Sequence, residues 1–360
     1  MANDSDQMEA GTRRPDFNSQ GNPVRTERSR APVFVLGCGR SGTKLLYHTL
    51  LSAGGFAVYH AESNAFNLLG LRFGNLGRRR NRRRLLDSWL KSKLFQRSGL
   101  ERDEIEPRIL NECQNTGDFL RILMETIAAK QRVERWAEST PLHLLYMPLI
   151  KKLIPDAIFI HIIRDGRDVA VSLHKIGWIR PLPWDRARSL VTAGMFWRWM
   201  VTQGRKSGRR LGGDYIEVRY EDLVQSPRET LSRLAAFIGH DLDYDRIQNV
   251  ALGSVHDPNS SFKTDGPGRD VSPVGRWKAL LSAEAVQQLE NGIGDLLTEL
   301  GYPLALPHGR PRTLPVHLMR VIYPRFYGVK LWLKSNTPLG RTTDVGRMGI
   351  TERSSLEPTT

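Results

Sequence analysis

The fold is decided by residues 32–44, which read PVFVLGCGRSGTK. The apolar run from Pro32 to Gly37 is short and rich in β-branched and aromatic residues, which is typical of a buried parallel strand. The glycine- and serine-rich segment after this run predicts a tight loop, and the stretch from Lys44 to Ala53 has the apolar periodicity of a helix. A strand, a loop and a helix in this order predict the first unit of an α/β fold.

Strands and helices continue to alternate along the chain. This alternation predicts one α/β domain over residues 31–301, a doubly wound parallel sheet flanked by helices. The polar residues 1–30 are predicted to be disordered, and residues 302–360 are interpreted as a basic C-terminal extension. Further strands are predicted at 56–60, 133–137, 157–163 and 215–218, and helices at 84–97, 117–130, 142–153, 168–176, 187–206, 228–238 and 283–300.

Composition limits the possible classes of protein. The chain has 360 residues, of which 40% are hydrophobic and 25% are charged, and this excludes collagen-like, coiled-coil and wholly disordered proteins. No apolar run of about 18 residues that would span a membrane occurs, and the first residues lack a signal-peptide pattern. Two cysteines, Cys38 and Cys113, are interpreted as reduced thiols. These features predict a cytoplasmic protein.

Positive charge is concentrated in two regions. Residues 71–110 and 302–360 carry net charges of +7 and +6, which together make 13 of the 15 excess charges, and the densest run is RRRNRRR at 78–84. A solvated surface is the ordinary explanation of such a run. The functional explanations are an anionic substrate, an anionic membrane or nucleic acid. No nucleic-acid partner is expected, because zinc-finger spacing, a basic region with heptads and an aromatic RNA-binding signature do not occur.

The loop at residues 37–44 is a candidate anion-binding site. Its three glycines allow backbone N–H groups to point towards a ligand, and the following helix adds the partial positive charge of its N-terminus. Arg40, Ser41, Thr43 and Lys44 supply more donors than a tight turn without a ligand would need. We therefore expect this loop to bind phosphate or sulfate oxygens.

This loop departs from a Walker A sequence. Gly37 and Gly42 have the Walker spacing, but Thr43 stands where the Walker lysine should be, and Lys44 replaces the hydroxyl that binds Mg²⁺. The strongest predicted strand is followed by Arg164, whereas the corresponding strand of a P-loop NTPase ends in a metal-binding Asp. We therefore expect anion binding by side-chain cations without a metal. This fits sulfuryl transfer better than phosphoryl transfer, because a sulfuryl group carries less charge.

At these residues the chain resembles the sulfotransferases that use 3′-phosphoadenosine 5′-phosphosulfate (PAPS), which implies a P-loop-like fold. Residues 39–46 look like the family's 5′-phosphosulfate loop, with Arg40 at the position of its catalytic cation. Residues 164–172 look like its 3′-phosphate element, in which an Arg and a Ser eight positions later hold that phosphate. The resemblance implies these PAPS-binding residues: Gly39, Arg40, Ser41, Gly42, Thr43, Lys44, Leu45, Arg164 and Ser172.

Three softer matches extend the resemblance over residues 32–301. Residues 219–223 look like the segment after the 3′-phosphate helix, and residues 275–278 resemble the late loop that covers the nucleotide. Residues 136–143 look like a segment that often reads Glu-Lys-Thr-Pro, with Ser139 here in place of the Lys. These matches add three implied PAPS-binding residues, which are Tyr220, Arg276 and Trp277.

The resemblance implies a single in-line transfer of a sulfuryl group from PAPS, as co-substrate, to an acceptor hydroxyl or amine. Arg40 and Lys44 would stabilise the leaving phosphate oxygen. Glu62 is the first candidate for the general base, because it follows the second predicted strand and matches a catalytic Glu of tyrosyl-protein sulfotransferases. The segment around it is closest to the carbohydrate, tyrosyl-protein and bacterial branches. The acceptor is expected to be a glycan, a small molecule or a peptidyl tyrosine.

Other roles for the candidate base residues stay open. Glu62 would pair with Arg72 or another arginine if it were an ordinary surface carboxylate. His60 and His143 are further candidates for the base, whereas His161 is interpreted as a core histidine.

The aromatic residues and the tail also have two interpretations each. Phe196 to Met200 is interpreted mainly as core, with a place in the acceptor site as the alternative. Trp277 would cover the adenine or pack against the last helix of the core. The tail from Leu314 to Leu333 is either a buried C-terminal helix or an interfacial segment on anionic lipid, which would associate the protein with a membrane.

Two other functions compete with sulfuryl transfer. A nucleotide or small-molecule kinase would bind ATP and depend on Mg²⁺, and the absence of a lysine at the Walker position argues against it. A basic, non-enzymatic scaffold would bind any polyanion with the same affinity.

Overall fold

Five strands form the centre of the molecule, and in the computed structural model they make one parallel sheet. The strands are β1 (Val33–Leu36), β2 (Phe56–Ala57), β3 (Arg135–Glu138), β4 (Ile158–Ile163) and β5 (Tyr215–Arg219). Their order across the sheet is β2-β3-β1-β4-β5. The described part of the chain comprises residues 28–177, 179, 189–249, 273–305 and 314–342.

Helices cover both faces of the sheet, so the predicted doubly wound α/β fold is confirmed. A π-helix at Ala65–Leu69 and 3₁₀ helices at Pro141–Tyr146, Arg209–Asp214 and Pro338–Thr342 complete the described elements. The α-helices are α1 (Thr43–Ser52), α2 (Gly70–Phe73), α3 (Arg79–Trp89), α4 (Lys93–Ser98), α5 (Arg102–Asn111), α6 (Thr116–Lys130), α7 (Met147–Leu153), α8 (Gly166–Ile176), α9 (Leu190–Gly208), α10 (Tyr220–Gln225), α11 (Pro227–Ile238), α12 (Tyr244–Asn249), α13 (Trp277–Leu280), α14 (Ala283–Glu299) and α15 (Leu314–Asn336).

The uninterrupted apolar character of β1 follows from burial on both faces. Successive side chains of a strand point to opposite faces of a sheet. Phe34 and Leu36 therefore join the core beneath α6, α8, α9 and α14, whereas Val33 and Val35 join the core beneath α1 and α11. A strand that faces helices on both sides needs apolar residues at every position, as parallel sheets generally do.

The position of β1 places the first loop at the centre of one sheet edge. Val33 lies opposite Ala137 of β3 and opposite Ile158 of β4. All the ladders are parallel, so the carboxyl ends of the five strands meet at one edge. The chain passes from one side of β1 to the other between β3 and β4, and open α/β sheets bind ligands at such a switch point.

The second strand is shorter than the prediction of 56–60, which is wrong beyond Ala57. The Gln131 side chain accepts from the Val58 N–H at 2.7 Å and donates to the Val58 carbonyl at 2.9 Å. The Tyr59 carbonyl accepts from the Tyr47 hydroxyl at 2.9 Å. These side chains therefore form the hydrogen bonds with backbone groups that would otherwise have continued the ladder of β2.

Two predicted helices are each divided. The helix predicted at 84–97 is α3 and α4, because Ser92 caps a new helix by accepting from the Phe95 N–H at 3.3 Å. The helix predicted at 142–153 begins with a 3₁₀ segment before α7. The sequence interpretation missed α5, which contains Pro107, and the π-helix at Ala65–Leu69.

The two terminal regions differ in how much of them the structure describes. Residues 1–27 lie outside the described residues, and disorder there stays a prediction. Residues from Arg28 form a turn, in which Arg28 donates to the Phe237 carbonyl at 2.8 Å. In the C-terminal region, α15 packs on α9 and α14. The basic C-terminal extension at 302–360 also stays a prediction.

Candidate active site

Each strand delivers a segment of the candidate site to the same edge of the sheet. The loop at residues 37–42 follows β1, and residues 59–62 come shortly after β2. Glu138 is the last residue of β3, Arg164 follows β4, and Tyr220 follows β5. The fold therefore brings together motifs that lie far apart in the sequence.

The loop after β1 packs closely against its neighbours at two of its glycines. Gly42 has φ = 96°, and a Cβ placed on it would lie 2.4 Å from the Tyr220 ring. Arg40 also has a left-handed backbone, with φ = 73°. A Cβ on Gly37 would lie 2.5 Å from the Ile162 carbonyl oxygen. The loop thus packs tightly against β4 and α10 and leads directly into the N-terminus of α1.

This loop retains donors for an anion. No side chain caps α1 at Gly42, so the first N–H groups of the helix have no side-chain acceptor there. The Ser41 hydroxyl is buried and has no hydrogen-bond partner among the described residues. Buried polar groups normally have a partner. The cradle therefore has the chemistry of a phosphate or sulfate site.

Side-chain cations connect the first loop with the segment at residues 164–172. Arg40 donates from Nε to the Ser172 hydroxyl at 3.0 Å, and Arg164 donates from Nη1 to the Arg40 carbonyl at 3.3 Å. The Arg164 guanidinium lies 4.3 Å from the centre of the Tyr220 ring. Burial, followed by the charges of Arg164 and Arg276, lowers the pKa of Arg40. Cations crowded in this way are stabilised by an anion.

Asp168 holds the late loop over this cluster, and the motif reading did not single it out. Its carboxylate accepts from the N–H groups of Gly275 and Trp277, both at 2.9 Å, and lies 3.6 Å from Arg164. The Trp277 indole is buried and stacks on the Arg167 guanidinium at 3.9 Å. The described contact of this indole is with α8, and neither covering of the adenine nor packing against the last helix of the core is tested by it. Asp168 lies on α8 and follows Arg164 by four residues. This spacing is the signal that could have identified it.

Glu62 and Lys44 are neighbours on the other side of the loop. Burial and then the charge of Glu138 raise the pKa of Glu62 to about 7, and Lys44 opposes that rise. Burial lowers the pKa of Lys44, with Glu62 acting against it and Arg97 and Arg40 adding to it. A half-buried carboxyl group with a pKa near neutrality is suited to accepting a proton.

Glu138 is a buried residue whose importance the sequence interpretation missed. Its carboxylate accepts from the Ser63 hydroxyl at 2.7 Å and from the Thr140 hydroxyl, and it lies 3.0 Å from His143 Nδ1. Burial would raise its pKa, but the hydrogen bonds of His143 and the two hydroxyls hold it below the ordinary value. Glu138 is therefore a buried anion whose charge acts on Glu62.

The three histidines named in the sequence analysis have different surroundings. His143 is fully buried, with Nδ1 facing Glu138 and Nε2 accepting from the Phe66 N–H at 3.2 Å, so both nitrogens are engaged. His161 lies in the core beside the Tyr215 hydroxyl at 2.7 Å, and burial lowers its pKa to about 3. His60 is half-buried beside the site. Glu62 remains the candidate base that the geometry supports best.

The aromatic segment and the loop cysteine belong to the core. Trp197 and Trp199 are buried, as predicted, and the Trp197 indole donates to the Arg164 carbonyl at 3.1 Å. Cys38 is fully buried, and burial raises the pKa of its thiol.

No helix in the described part of the chain is long and apolar enough to span a bilayer.

A sequence model described as the sulfotransferase family matches residues 32–244. The chain belongs to the sulfotransferase family. The predicted family membership is thus confirmed. The match includes the first loop, Glu62, Arg164, Ser172 and Tyr220, and it ends before the late loop with Arg276 and Trp277.

Individual relatives of this sulfotransferase are distant. A protein of Caenorhabditis elegans named "Putative protein-tyrosine sulfotransferase" is 25% identical over 199 residues, which are 52% of this chain and 74% of that protein. Human carbohydrate sulfotransferase 1 is 29% identical over 96 residues, which are 26% of this chain and 23% of that protein. The sulfotransferase domain of the Synechococcus PCC 7002 olefin synthase is 18% identical with a TM-score of 0.46, covering 77% of this chain and 96% of the domain.

Proposed function

We propose that this sulfotransferase moves a sulfuryl group from PAPS to a hydroxyl or amine acceptor without a metal ion. The contact between Arg40 Nε and the Ser172 hydroxyl, at 3.0 Å, carries the proposal. It supports the proposal because it joins residues 37–44, which would hold one end of a nucleotide, to residues 164–172, which would hold the other end. PAPS has a phosphosulfate at its 5′ position and a phosphate at its 3′ position, so it needs two such groups of donors.

The residues of the site divide between these two anionic groups. Ser41, the N–H groups at the start of α1 and Lys44 would hold the phosphosulfate, and Arg164 and Ser172 would hold the 3′-phosphate. The orphaned Ser41 hydroxyl and the tightly folded glycine loop fit this use. PAPS supplies the sulfuryl group when bound. Arg40 and Lys44 stabilise negative charge that develops on the leaving oxygen, as preorganised donors do.

Glu62 would take the proton from the acceptor. Its pKa of about 7 means that an appreciable fraction is ionised at neutral pH and that the proton it gains is held firmly. Lys44 lies close enough to influence this pKa, so base and leaving-group cation share one part of the site.

For the acceptor we propose a hydroxyl-bearing molecule of the glycan class, with a peptidyl tyrosine or a small molecule as alternatives. The relatives named for tyrosine and carbohydrate sulfation support hydroxyl acceptors in general. A screen of acceptor classes with radiolabelled PAPS would distinguish them.

A kinase is not favoured. Thr43, at the position of the Walker lysine, is buried with 6% of its surface exposed, and Arg164 stands where an Asp would hold Mg²⁺. A basic scaffold would treat all polyphosphates alike, whereas Arg164 and Ser172 would add a second group of donors that selects a nucleotide with a 3′-phosphate.

Isothermal titration tests these possibilities directly. The full-length protein is titrated with adenosine 3′,5′-bisphosphate (PAP), ADP and ATP, with and without Mg²⁺. We expect PAP to bind most tightly and its affinity to be independent of Mg²⁺. Preference for ATP with Mg²⁺ would support the kinase, and equal affinity for all three would support the scaffold.

A further inference from the structure

The outer face of α15 carries an apolar stripe. Five side chains on this face are between 40% and 59% exposed. At 100° per residue, they fall within about 100° of the helix circumference, with Arg325 in the middle. Contiguous exposed apolar surface of this kind marks an interaction site more often than scattered residues do. The stripe consists of Leu318, Val321, Ile322, Val329 and Trp332.

The inner face of α15 fixes this orientation. Tyr323 and Tyr327 are buried, and the Tyr327 ring centre lies 5.4 Å from that of Phe196 and 5.2 Å from that of Trp199. Arg320 forms an ion pair with Asp295 of α14. The stripe therefore faces outward because the opposite side of the helix is held by the core.

Positive charge surrounds the stripe. The described residues 314–342 contain five Arg and Lys residues and no Asp or Glu. Lys330 and Lys334 of α15 are exposed, as is Arg325 within the stripe. The 3₁₀ helix at Pro338–Thr342 packs against α2 and brings the Arg341 guanidinium beside Gly74.

The arginine-rich helix α3 extends this basic region. It follows α2 in the chain and packs against it. The RRRNRRR run is not uniform: Arg82 is buried, and Arg83 pairs with Glu106. The remaining arginines of the run, which are Arg78, Arg79, Arg80 and Arg84, are exposed.

We propose that α15 docks on the surface of an anionic phospholipid bilayer. The stripe would enter the boundary between headgroups and acyl chains, and the surrounding cations would face lipid phosphates. A second copy of this chain is a poorer occupant, because an interface formed by the same face would bring like charges together. An anionic lipid surface satisfies the apolar stripe and the positive charge at once.

Vesicle flotation of the full-length protein tests this inference. We expect the protein to float with vesicles of phosphatidylcholine mixed with phosphatidylserine, and weakly with phosphatidylcholine alone. The double variant V329E/W332E should lose about tenfold or more of its partitioning, because two apolar side chains would become charged. R325Q should lose about fivefold on anionic vesicles only, which corresponds to one cation near the surface.

The matched control is L149E, which places the same charge on an exposed apolar position of α7. It should float like the parent protein, and thermal unfolding and PAP titration should show that all the variants are folded. Equal flotation of V329E/W332E and the parent would overturn the proposal, as would equal binding to neutral vesicles. A parent dimer that V329E/W332E converts to monomers would assign the stripe to a second copy instead. PAP binding is measured separately, so failure here leaves the proposed activity untouched.

Discussion

The pKa of Glu62 depends on burial and on the charged neighbours of this side chain in the site. Its pKa of about 7 results from burial and from Glu138, against the opposing charge of Lys44. A carboxyl group with this pKa gains or loses its charge near neutral pH. The role of Glu62 can therefore be tested by measuring the reaction rate as a function of pH.

We expect E62Q to lower kcat by about a hundredfold or more while leaving the affinity for PAP unchanged, because the amide cannot accept the acceptor proton. The rate of the parent protein should rise with pH through about 7, since only the ionised carboxylate acts as base. This rising limb should disappear in E62Q. Initial rates from radiolabelled PAPS across pH, with PAP titration, provide the measurement.

The stability of E62Q separates lost chemistry from lost folding. The folded-state pKa lies above the unfolded one, so the protonated carboxyl stabilises the fold at low pH, and that contribution is lost as pH rises towards 7. Above pH 7 the neutral amide should therefore be at least as stable as the parent. The matched control is E134Q, at a side chain that is 79% exposed, and it should be fully active. An inactive E134Q, or an E62Q of normal rate, would contradict the assignment.

Glu138 should set the pH at which Glu62 becomes active. Because the Glu138 charge raises the pKa of Glu62, E138Q should move the rising limb of the rate profile to lower pH. The amide can still accept from the hydroxyls of Ser63 and Thr140. S63A, which removes one of these bonds and no charge, is the control and should leave the midpoint of the limb in place. A limb that moves equally in both variants would make the effect structural.

At the scale of elements, the tight approach of the first loop to α10 explains why residue 42 is a glycine. Gly42 has a left-handed backbone, and a Cβ placed on it would clash with the Tyr220 ring. Gly54 also has a left-handed backbone, with φ = 80°, but no atom lies within 4 Å of the position of its Cβ. The two positions therefore separate backbone strain from a steric clash.

G54A should lower the free energy of unfolding by about 1–2 kcal/mol, the cost of a left-handed backbone for a residue with a Cβ. G42A should cost more, and it should also weaken PAP binding, because the loop must move away from Tyr220. Urea unfolding and PAP titration of both variants are the measurements. If G42A bound PAP as the parent does, the loop would not be the anion cradle.

The elements that the sequence interpretation placed correctly are those with strong local signals. The run before Gly37 and the strand at Ile158–Ile163 are apolar at every position, so burial on both faces is readable from them. The end of β2 was not readable, because Gln131, far away in the sequence, bonds the backbone of Val58. When distant side chains form hydrogen bonds with the end of a strand, the sequence around that end carries no pattern that predicts it.

At the scale of the whole molecule, α15 completes the apolar face of α9. Tyr327 covers Phe196 and Trp199, and Tyr323 is buried beside them. The tail therefore contributes to the core as well as to the surface.

A truncation after Ala305 should lower the free energy of unfolding by about 3 kcal/mol or more, because two buried tyrosines are lost and Phe196 becomes exposed. Truncation after Thr342, which keeps α15, is the control and should match the parent. Urea unfolding and binding of a hydrophobic dye are the measurements. Equal stability of the two truncations would show that α15 is a detachable extension.

Local residue types at fixed spacing are enough to predict the α/β alternation, a candidate anion-binding loop and the family. Which neighbours act on these residues follows from the folded chain alone. Arg82 and Arg84 have the same letter in one run, yet Arg82 is buried and donates to the Leu76 and Cys113 carbonyls, whereas Arg84 is exposed. Burial and charge at a residue depend on chain segments brought close in space, and spacing along the sequence does not contain them.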